Sequence, residues 1–321
     1  MPKTVILTHA DCDGICSGAV ALSRFPEATV FFTKPASLLD DLRHTEAEKI
    51  IISDIALTKK DAVKIIEEMK RKECEIFYFD HHDIPDSIKE EDVRNAVSAY
   101  FHEKGTSASE LIYRAYKNEI PRERVWLAIY GAIGDYLDNT PFIRERMLNW
   151  DRRALYFEVS TITLGIKTDE FSGYDAKRII VYTLASGKNP SDVPGLVKSA
   201  KEAVNKEFEL YELVKKNAKV LGNIAYVKDI HTFGFRGPSA LFSATVKNKP
   251  IGISVHTREK YLDITIRTRN YSLKLNKLAE IAAECVDGSG GGLEAAAGAR
   301  IPHGTLEIFL ERLNEEIEKS G

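Results

Sequence analysis

Short apolar runs rich in β-branched residues alternate with stretches of helical spacing through the first hundred or so positions. Thr4 to Thr8, Thr29 to Thr33, Lys49 to Ser53 and Glu75 to Phe79 read as buried strands bounded by polar or turn residues. Gly14 to Phe25, Ser37 to Arg43 and Lys59 to Lys72 carry the helical period between them, and a further strand at Ala96 to Phe101 precedes a helix that starts near Thr106. Strand then helix, repeated, predicts right-handed crossovers and a mostly parallel sheet. From about Pro121 to Gly187 the pattern is helical, clearest at Val125 to Ile133, Arg152 to Phe157 and Tyr174 to Ser186, which predicts a helical flank on that sheet. Gly187, Pro190 and Pro194 then interrupt the chain, and Val197 to Leu221 reads as one long helix rich in Lys and Glu. Strands return at Asn223 to Lys228, Ile251 to His256 and Tyr261 to Arg267, followed by a helix from Leu275 to Cys285, the glycine run Gly288 to Gly292, a strand near Ala299 and an amphipathic last helix. The expected fold class is α/β, with a mostly parallel-sheet domain and its helical flank at 1–190, a connector helix at 191–221 and a smaller α+β domain at 222–321.

At 321 residues there is room for two such domains, and 44% hydrophobic with 29% charged residues excludes global disorder. No apolar stretch approaches the ~20 residues that cross a bilayer, so no membrane partner is expected. Met1 to Ala10 runs straight into a strand pattern without a basic start or cleavage site, which predicts a cytoplasmic location. Cys12, Cys16, Cys74 and Cys285 form no CxxC pair, so neither a zinc ribbon nor a disulfide framework is supported. With a net charge of -3 there is no global basic excess, and any grip on nucleic acid has to be local.

The chemistry gathers at strand ends. The first strand delivers His9, Asp11 and Asp13 before Gly14, the strand at Lys49 to Ser53 delivers Asp54, and the strand at Glu75 to Phe79 delivers Asp80, His81 and His82. In an open parallel sheet ligands bind outside the carboxyl ends of the strands, so these side chains should converge. Any one of these acids alone reads more readily as a helix cap or a solvated loop end. Together they repel unless a cation sits among them, and mixed carboxylate and imidazole donors suit Mn²⁺ or a similar divalent ion. The segment Gly131-Ala132-Ile133-Gly134-Asp135 adds a further acid, with glycines that let it pack close.

The Asp80-His81-His82 triplet after an apolar strand, with His9, Asp11, Asp13 and Gly14 upstream, Asp54 between and Gly134-Asp135 downstream, resembles the DHH phosphoesterase superfamily. Ile266-Arg267-Thr268, followed by Gly290-Gly291-Gly292-Leu293 and Ala296-Ala297-Gly298, resembles the DHH-associated substrate-binding domain of the same proteins. The short two-domain form is most similar to archaeal RecJ-like exonucleases, the branch that includes the Hef-associated nuclease. The resemblance implies a DHH catalytic domain with a site for two Mn²⁺ ions, for which Mg²⁺ or Co²⁺ are alternatives. By matching position His9, Asp11, Asp13, Asp54, Asp80, His81 and Asp135 would be ligands or their supports, with Asp54 the bridge. His82 is assigned to the phosphate or to proton donation, and Asp80 is counted with it as catalytic.

Thr106 and Ser107 open a helix whose N–H groups could hold a phosphate, although an ordinary capped helix accounts for them as well. The run Gly288 to Gly292 reads as a loop, which a plain flexible connection would explain; beside Arg267 and Arg269, its Gly290, Gly291 and Gly292 form a candidate cradle for nucleotide phosphates. Leu293 stands where the family usually has His, which predicts a preference for strands over dinucleotides; packing of Leu293 in the core of the second domain is the equal alternative. Tyr100, Phe101 and His102 are read as core and strand-end residues rather than a stacking surface, and His231, Phe233, Phe235 and Arg236 as a loop that could cover the cleft. The expected activity is that of a single-strand DNA exonuclease, with RNA as a further substrate, releasing mononucleotides in the 3'-to-5' sense. Its partners would be single-stranded nucleic acid and a DNA repair helicase/nuclease or replication factor. The alternatives are a phosphoesterase of short oligonucleotides, cyclic dinucleotides or nucleotide 3'-phosphates, and a non-catalytic scaffold.

Overall fold

The computed structural model describes residues 3–230, 234–270, 272–292 and 294–320. Leu293, His231 and Phe233 lie outside the described residues. Two compact units result, one up to Lys201 and one from Glu202.

The first unit runs β1 (Thr4–Thr8), α1 (Cys12–Arg24), β2 (Thr29–Phe32), α2 (Leu38–His44), β3 (Lys49–Ser53), α3 (Ala62–Arg71), β4 (Glu75–Asp80), α4 (Glu90–Arg94) and β5 (Ala99–His102). Helices α5 (Ala108–Tyr116), α6 (Val125–Gly134), α7 (Pro141–Met147), α8 (Arg152–Gly165), α9 (Asp169–Ser172) and α10 (Tyr174–Ala185) follow, and α11 (Leu196–Asn217) begins here. The strands form a five-stranded sheet in the order β2-β1-β3-β4-β5, with every pairing parallel. Alternation along the strands divides the core. Ile6, Ile51 and Phe79 face α1, α6, α8 and α10, while Val5, Leu7, Ile50, Ile52 and Tyr78 face α2 and α3. The chain leaves β1 for β2 on one side and returns to β3 on the other, so the strand order reverses at β1, where a crevice opens at the carboxyl ends.

The second unit continues with β6 (Lys219–Leu221), β7 (Ile224–Lys228), α12 (Arg236–Val246), β8 (Ile251–Thr257), β9 (Leu262–Thr268), α13 (Leu275–Glu284), β10 (Ser289–Gly292), β11 (Ala296–Ile301) and α14 (Leu306–Ser320). Its six strands run β10-β11-β9-β8-β7-β6, parallel only between β7 and β8. Ile251, Ile253, Val255, Ile264 and Ile266 pack with Leu275, Leu278, Phe309 and Leu313 into one core.

Three sequence readings are corrected here. The connector helix ends at Asn217 rather than Leu221, because Lys219 to Leu221 pair with Tyr226 to Ile224 as strand β6. Phe235 and Arg236 do not belong to a cover loop: Phe235 is buried and Arg236 begins α12, a helix whose apolar face is built from small residues such as Ala240 and Ala244 and so carries little periodic signal. The glycine run is not a loop between helix and strand but an edge strand, with Gly290 opposite Ala299 and Gly291 opposite Gly298. A Cβ at Gly290 would lie 2.3 Å from the Ala279 carbonyl oxygen of α13, so helix and strand approach only over a bare backbone. Gly290→Ala should destabilise the protein by ~1–3 kcal/mol, the usual penalty of overpacking, read as a lower denaturant midpoint in chemical unfolding.

Asp263 in β9 gathers three guanidinium groups: Arg300 Nε donates to Oδ1 at 3.2 Å, and Arg258 Nε and Arg236 Nη1 reach Oδ2 at 3.1 and 3.4 Å. Burial opposes its charge, but the bonds from Arg258 and Arg300 and the field of Arg236 hold the carboxyl below the usual range. A folded pKa below the unfolded one stabilises above the unfolded value and loses that contribution as pH falls through the folded one. Asp263→Asn should therefore unfold more easily at pH 7, with the difference from wild type shrinking as pH drops through ~3.9 and below.

Candidate metal centre

The crevice at β1, β3 and β4 is filled by the acids and imidazoles that follow those strands. Asp11 is the N-cap of α1: its Oδ1 accepts from Gly14 N at 3.0 Å, and its Oδ2 lies 2.7 Å from His9 Nδ1. Asp54 follows β3 with φ 59, a left-handed conformation that few residues besides Gly, Asn and Asp tolerate. Its Oδ1 lies 3.2 Å from His81 Nε2 and its Oδ2 lies 3.7 Å from His9 Nδ1, too far for a hydrogen bond. Among the described residues, Asp54 Oδ2 is buried and has no hydrogen-bond partner. An orphaned carboxylate oxygen in such a place calls for a cation.

Potential ligand atoms fall into overlapping groups: His9, Asp11 and Asp54; Asp13, Asp54, His81 and Asp135; and Asp54, His81 and His82. Asp54 belongs to each. The donor set of carboxylates and imidazoles fits a hard-to-borderline divalent ion. His82, expected to face substrate, also lies within this ligand geometry. Asp80, placed among the ligands by sequence, accepts from His82 Nδ1 at 2.8 Å through Oδ1.

Asp13 is fully buried, and its carboxylate accepts from Ala108 N at 2.6 Å and Ser109 N at 3.1 Å. The positive end of α5 is thus turned onto an acid of the cluster. Thr106 and Ser107, read as phosphate contacts, are buried; Ser107 Oγ caps α5 by accepting from Glu110 N, and Thr106 Oγ1 donates to Glu103. A Cβ at Gly131 would fall 2.3 Å from Asp13 Oδ1 and 2.1 Å from Ser109 Oγ, so α6 reaches the cluster and brings Asp135 because that position is bare. Arg267, Arg269, Gly290, Gly291 and Gly292 belong to the second unit. Arg267 Nη1 donates to the Ile266 carbonyl at 2.9 Å, Arg269 is exposed, and Gly291 faces open space.

Proton affinities follow from crowding. Burial first, and then the charge of Asp54, push Asp13 up to about 7. Burial and neighbouring acids raise Asp54 and Asp135 as well. Desolvation opposes the charge on His9, but Asp11 and Asp54 outweigh it and push the ring up to about 11. His81 reaches about 9 because its bond to Asp54 and the field of Asp13 overcome its burial. Asp11 is held low despite desolvation, by His9 and the Gly14 N–H. A bound cation would displace these protons and stabilise the same carboxylates.

The roles of the surrounding supports were not visible in the sequence, although His102 and Tyr100 stood out as strand-end residues. Buried Lys177 of α10 donates to the Ala10 carbonyl at 2.7 Å, and His102 Nε2 donates to the His82 carbonyl at 2.7 Å while its ring stacks on Tyr100. Thr8, Ser17 and Ser53 bind one another beneath the crevice at 2.9 to 3.1 Å. The one available signal was Ser17, a polar residue in the apolar middle of α1; Lys177 lies between Asp175 and Arg178 in α10 and does not stand out.

Mn²⁺ at ~100 times its Kd should add about 2.7 kcal/mol to unfolding by mass action. Thermal unfolding of Asp54→Asn should show little of that rise, and an equal rise would remove Asp54 from the metal site.

Comparison with known proteins agrees with this geometry. The model of the DHH family, N-terminal domain, matches residues 3–133, and that of the DHHA1 domain matches residues 237–319. No match was found among curated proteins. Among solved structures, a DHH domain described as belonging to a family of ribosomal proteins superposes with a TM-score of 0.74 at 17% identity, over 98% of this chain and 86% of that one. Mn²⁺-bound RecJ of Thermus thermophilus gives 0.69 at 15% identity over 98% of this chain, which spans only 52% of that protein. A pGpG-specific phosphodiesterase of Vibrio cholerae gives 0.61 at 15% identity, over 99% of this chain and 100% of that one. At such identities these likenesses speak for the fold. With a DHH N-terminal domain followed by a DHHA1 domain, and the strand-end acids and imidazoles in place, the chain belongs to the DHH superfamily of phosphoesterases.

Proposed function

We propose that the protein is a divalent-metal-dependent exonuclease that shortens single-stranded DNA, and RNA as a further substrate, to mononucleotides from the 3' end. The observation that carries the metal-dependent reading is Asp54, which among the described residues is shared by every potential ligand group and left with a buried, unpartnered oxygen. His9, Asp11, Asp13, Asp54, His81 and Asp135 would hold two divalent ions, with Asp54 common to both ligand sets and Mn²⁺ the preferred metal. When bound, such ions neutralise phosphate charge and lower the pKa of water.

The chain's own residues supply orientation and protons. His82 Nδ1 donates to Asp80, which leaves Nε2 to meet a phosphate or leaving oxygen. Burial disfavours the charged ring, but Asp80 raises its pKa, so His82 is suited to carry a proton to that oxygen. His102 holds the His82 backbone in place. In the second unit Arg267, Arg269 and the backbone around Gly291 are assigned to phosphate contacts.

The likeness to RecJ over nearly the whole chain supports the nucleic-acid reading. The end-to-end match with a pGpG-specific phosphodiesterase favours a second reading, hydrolysis of dinucleotides. Purified protein with Mn²⁺, offered 5'- and 3'-labelled single strands beside dinucleotides and cyclic dinucleotides, separates them. Stepwise loss from the 3' end is expected, and turnover confined to dinucleotides would establish the second reading instead. Asp54→Asn should lower turnover by more than about 100-fold, the upper range for losing even an outer partner of a metal site.

A further inference from the structure

Helix α6 ends in a way that its sequence does not favour. Leu137 N donates to the Ala132 carbonyl at 2.8 Å and Tyr136 N to the Ile133 carbonyl at 3.2 Å, the paired bonds of a helix terminus whose turning residue is left-handed. That residue is Tyr136, at φ 60. Glycine normally occupies this position, and a bulky side chain there is an outlier that persists where something else requires it. Packing does not require it, since Tyr136 is 90% exposed. It is also the immediate neighbour of Asp135, whose Oδ2 lies 3.7 Å from His81 Nε2. Consecutive Cα atoms are ~3.8 Å apart across a trans peptide, so the ring is tethered within one residue of the ligand cluster.

We propose that Tyr136 is a specificity-determining residue that stacks on the nucleobase beside the scissile phosphate. The proposal rests on the nucleic-acid reading above and deepens it. A largely solvated phenol ring beside a phosphodiester site offers a sequence-tolerant platform, since every base has a π-face. The left-handed turn at φ 60 holds the backbone that carries both Asp135 and the ring, so ligand and platform are positioned by one helix end. Strain at a helix end is retained where glycine would relax it, and a ring in solvent gains its worth only when a base covers it.

The test uses Tyr136→Gly, Tyr136→Trp and the wild type on two Mn²⁺-supplemented substrates, an ordinary single strand and the same strand with abasic sites at its terminal positions. Tyr136→Gly should raise the melting temperature, because glycine relaxes the left-handed turn, and should keep the Mn²⁺-induced rise that reports an intact Asp135. Its KM for the ordinary strand should increase about tenfold, in the range of one base–aromatic stack, with a much smaller change on the abasic strand. Tyr136→Trp should restore the ordinary KM. An unchanged KM in the glycine variant, or an equal increase on both strands, would overturn the stacking role alone. A wild-type enzyme that cleaves neither strand would overturn the nucleic-acid reading, and the role of Tyr136 with it.

Discussion

The constraint on which this protein turns is the mutual repulsion of carboxylates brought to one crevice. Asp11, Asp13, Asp54 and Asp135 converge at the ends of parallel strands, three of them raised in proton affinity by burial and by one another. A fold could relieve that repulsion by pairing each acid with an arginine, as Asp263 is paired in the second unit. At the crevice the partners are imidazoles and backbone N–H groups, which leave lone pairs available. Asp54 shows the consequence most plainly, with one oxygen bound to His81 and the other buried and, among the described residues, unmet. Such an arrangement is costly for an empty site and suited to a divalent cation.

The scaffold around the crevice spends its directional groups on holding this charge. The end of α5 donates two N–H groups to Asp13, the end of α1 is capped by Asp11, and the hydroxyls of Thr8, Ser17 and Ser53 tie β1, α1 and β3 together below. Lys177 and His102 bind the backbone on either side, at Ala10 and His82. These contacts keep ligand atoms within reach of one another before any ion arrives, which is the pre-organisation that metal sites require of their outer partners. Glycines serve the same end by absence: Gly131 lets α6 meet Asp13, and in the second unit Gly290 lets α13 lie on the edge strand.

The strand-end acids and imidazoles were legible in the sequence because each cluster is local. His9, Asp11 and Asp13 lie within five positions, and Asp80 to His82 are consecutive, so an apolar run followed by these residues announces a strand with chemistry at its end. Periodicity likewise determined the α/β class, the helical flank and the mixed character of the second unit. It misplaced the end of the connector helix, missed α12 and took β10 for a loop. A short strand and a helix faced with small residues acquire their identity from partners: Val220 from Ala225, Ala240 from the sheet beneath it, and Gly290 from Ala299. What only the tertiary structure decided is who meets whom across long separations. Ala108 meets Asp13 across 95 residues and Lys177 meets Ala10 across 167. The left-handed backbone at Asp54 belongs to the same class, its N–H donating to the Phe79 carbonyl. Local pattern carries no record of such pairings, because burial and hydrogen-bond satisfaction are properties of the packed chain and not of any segment within it.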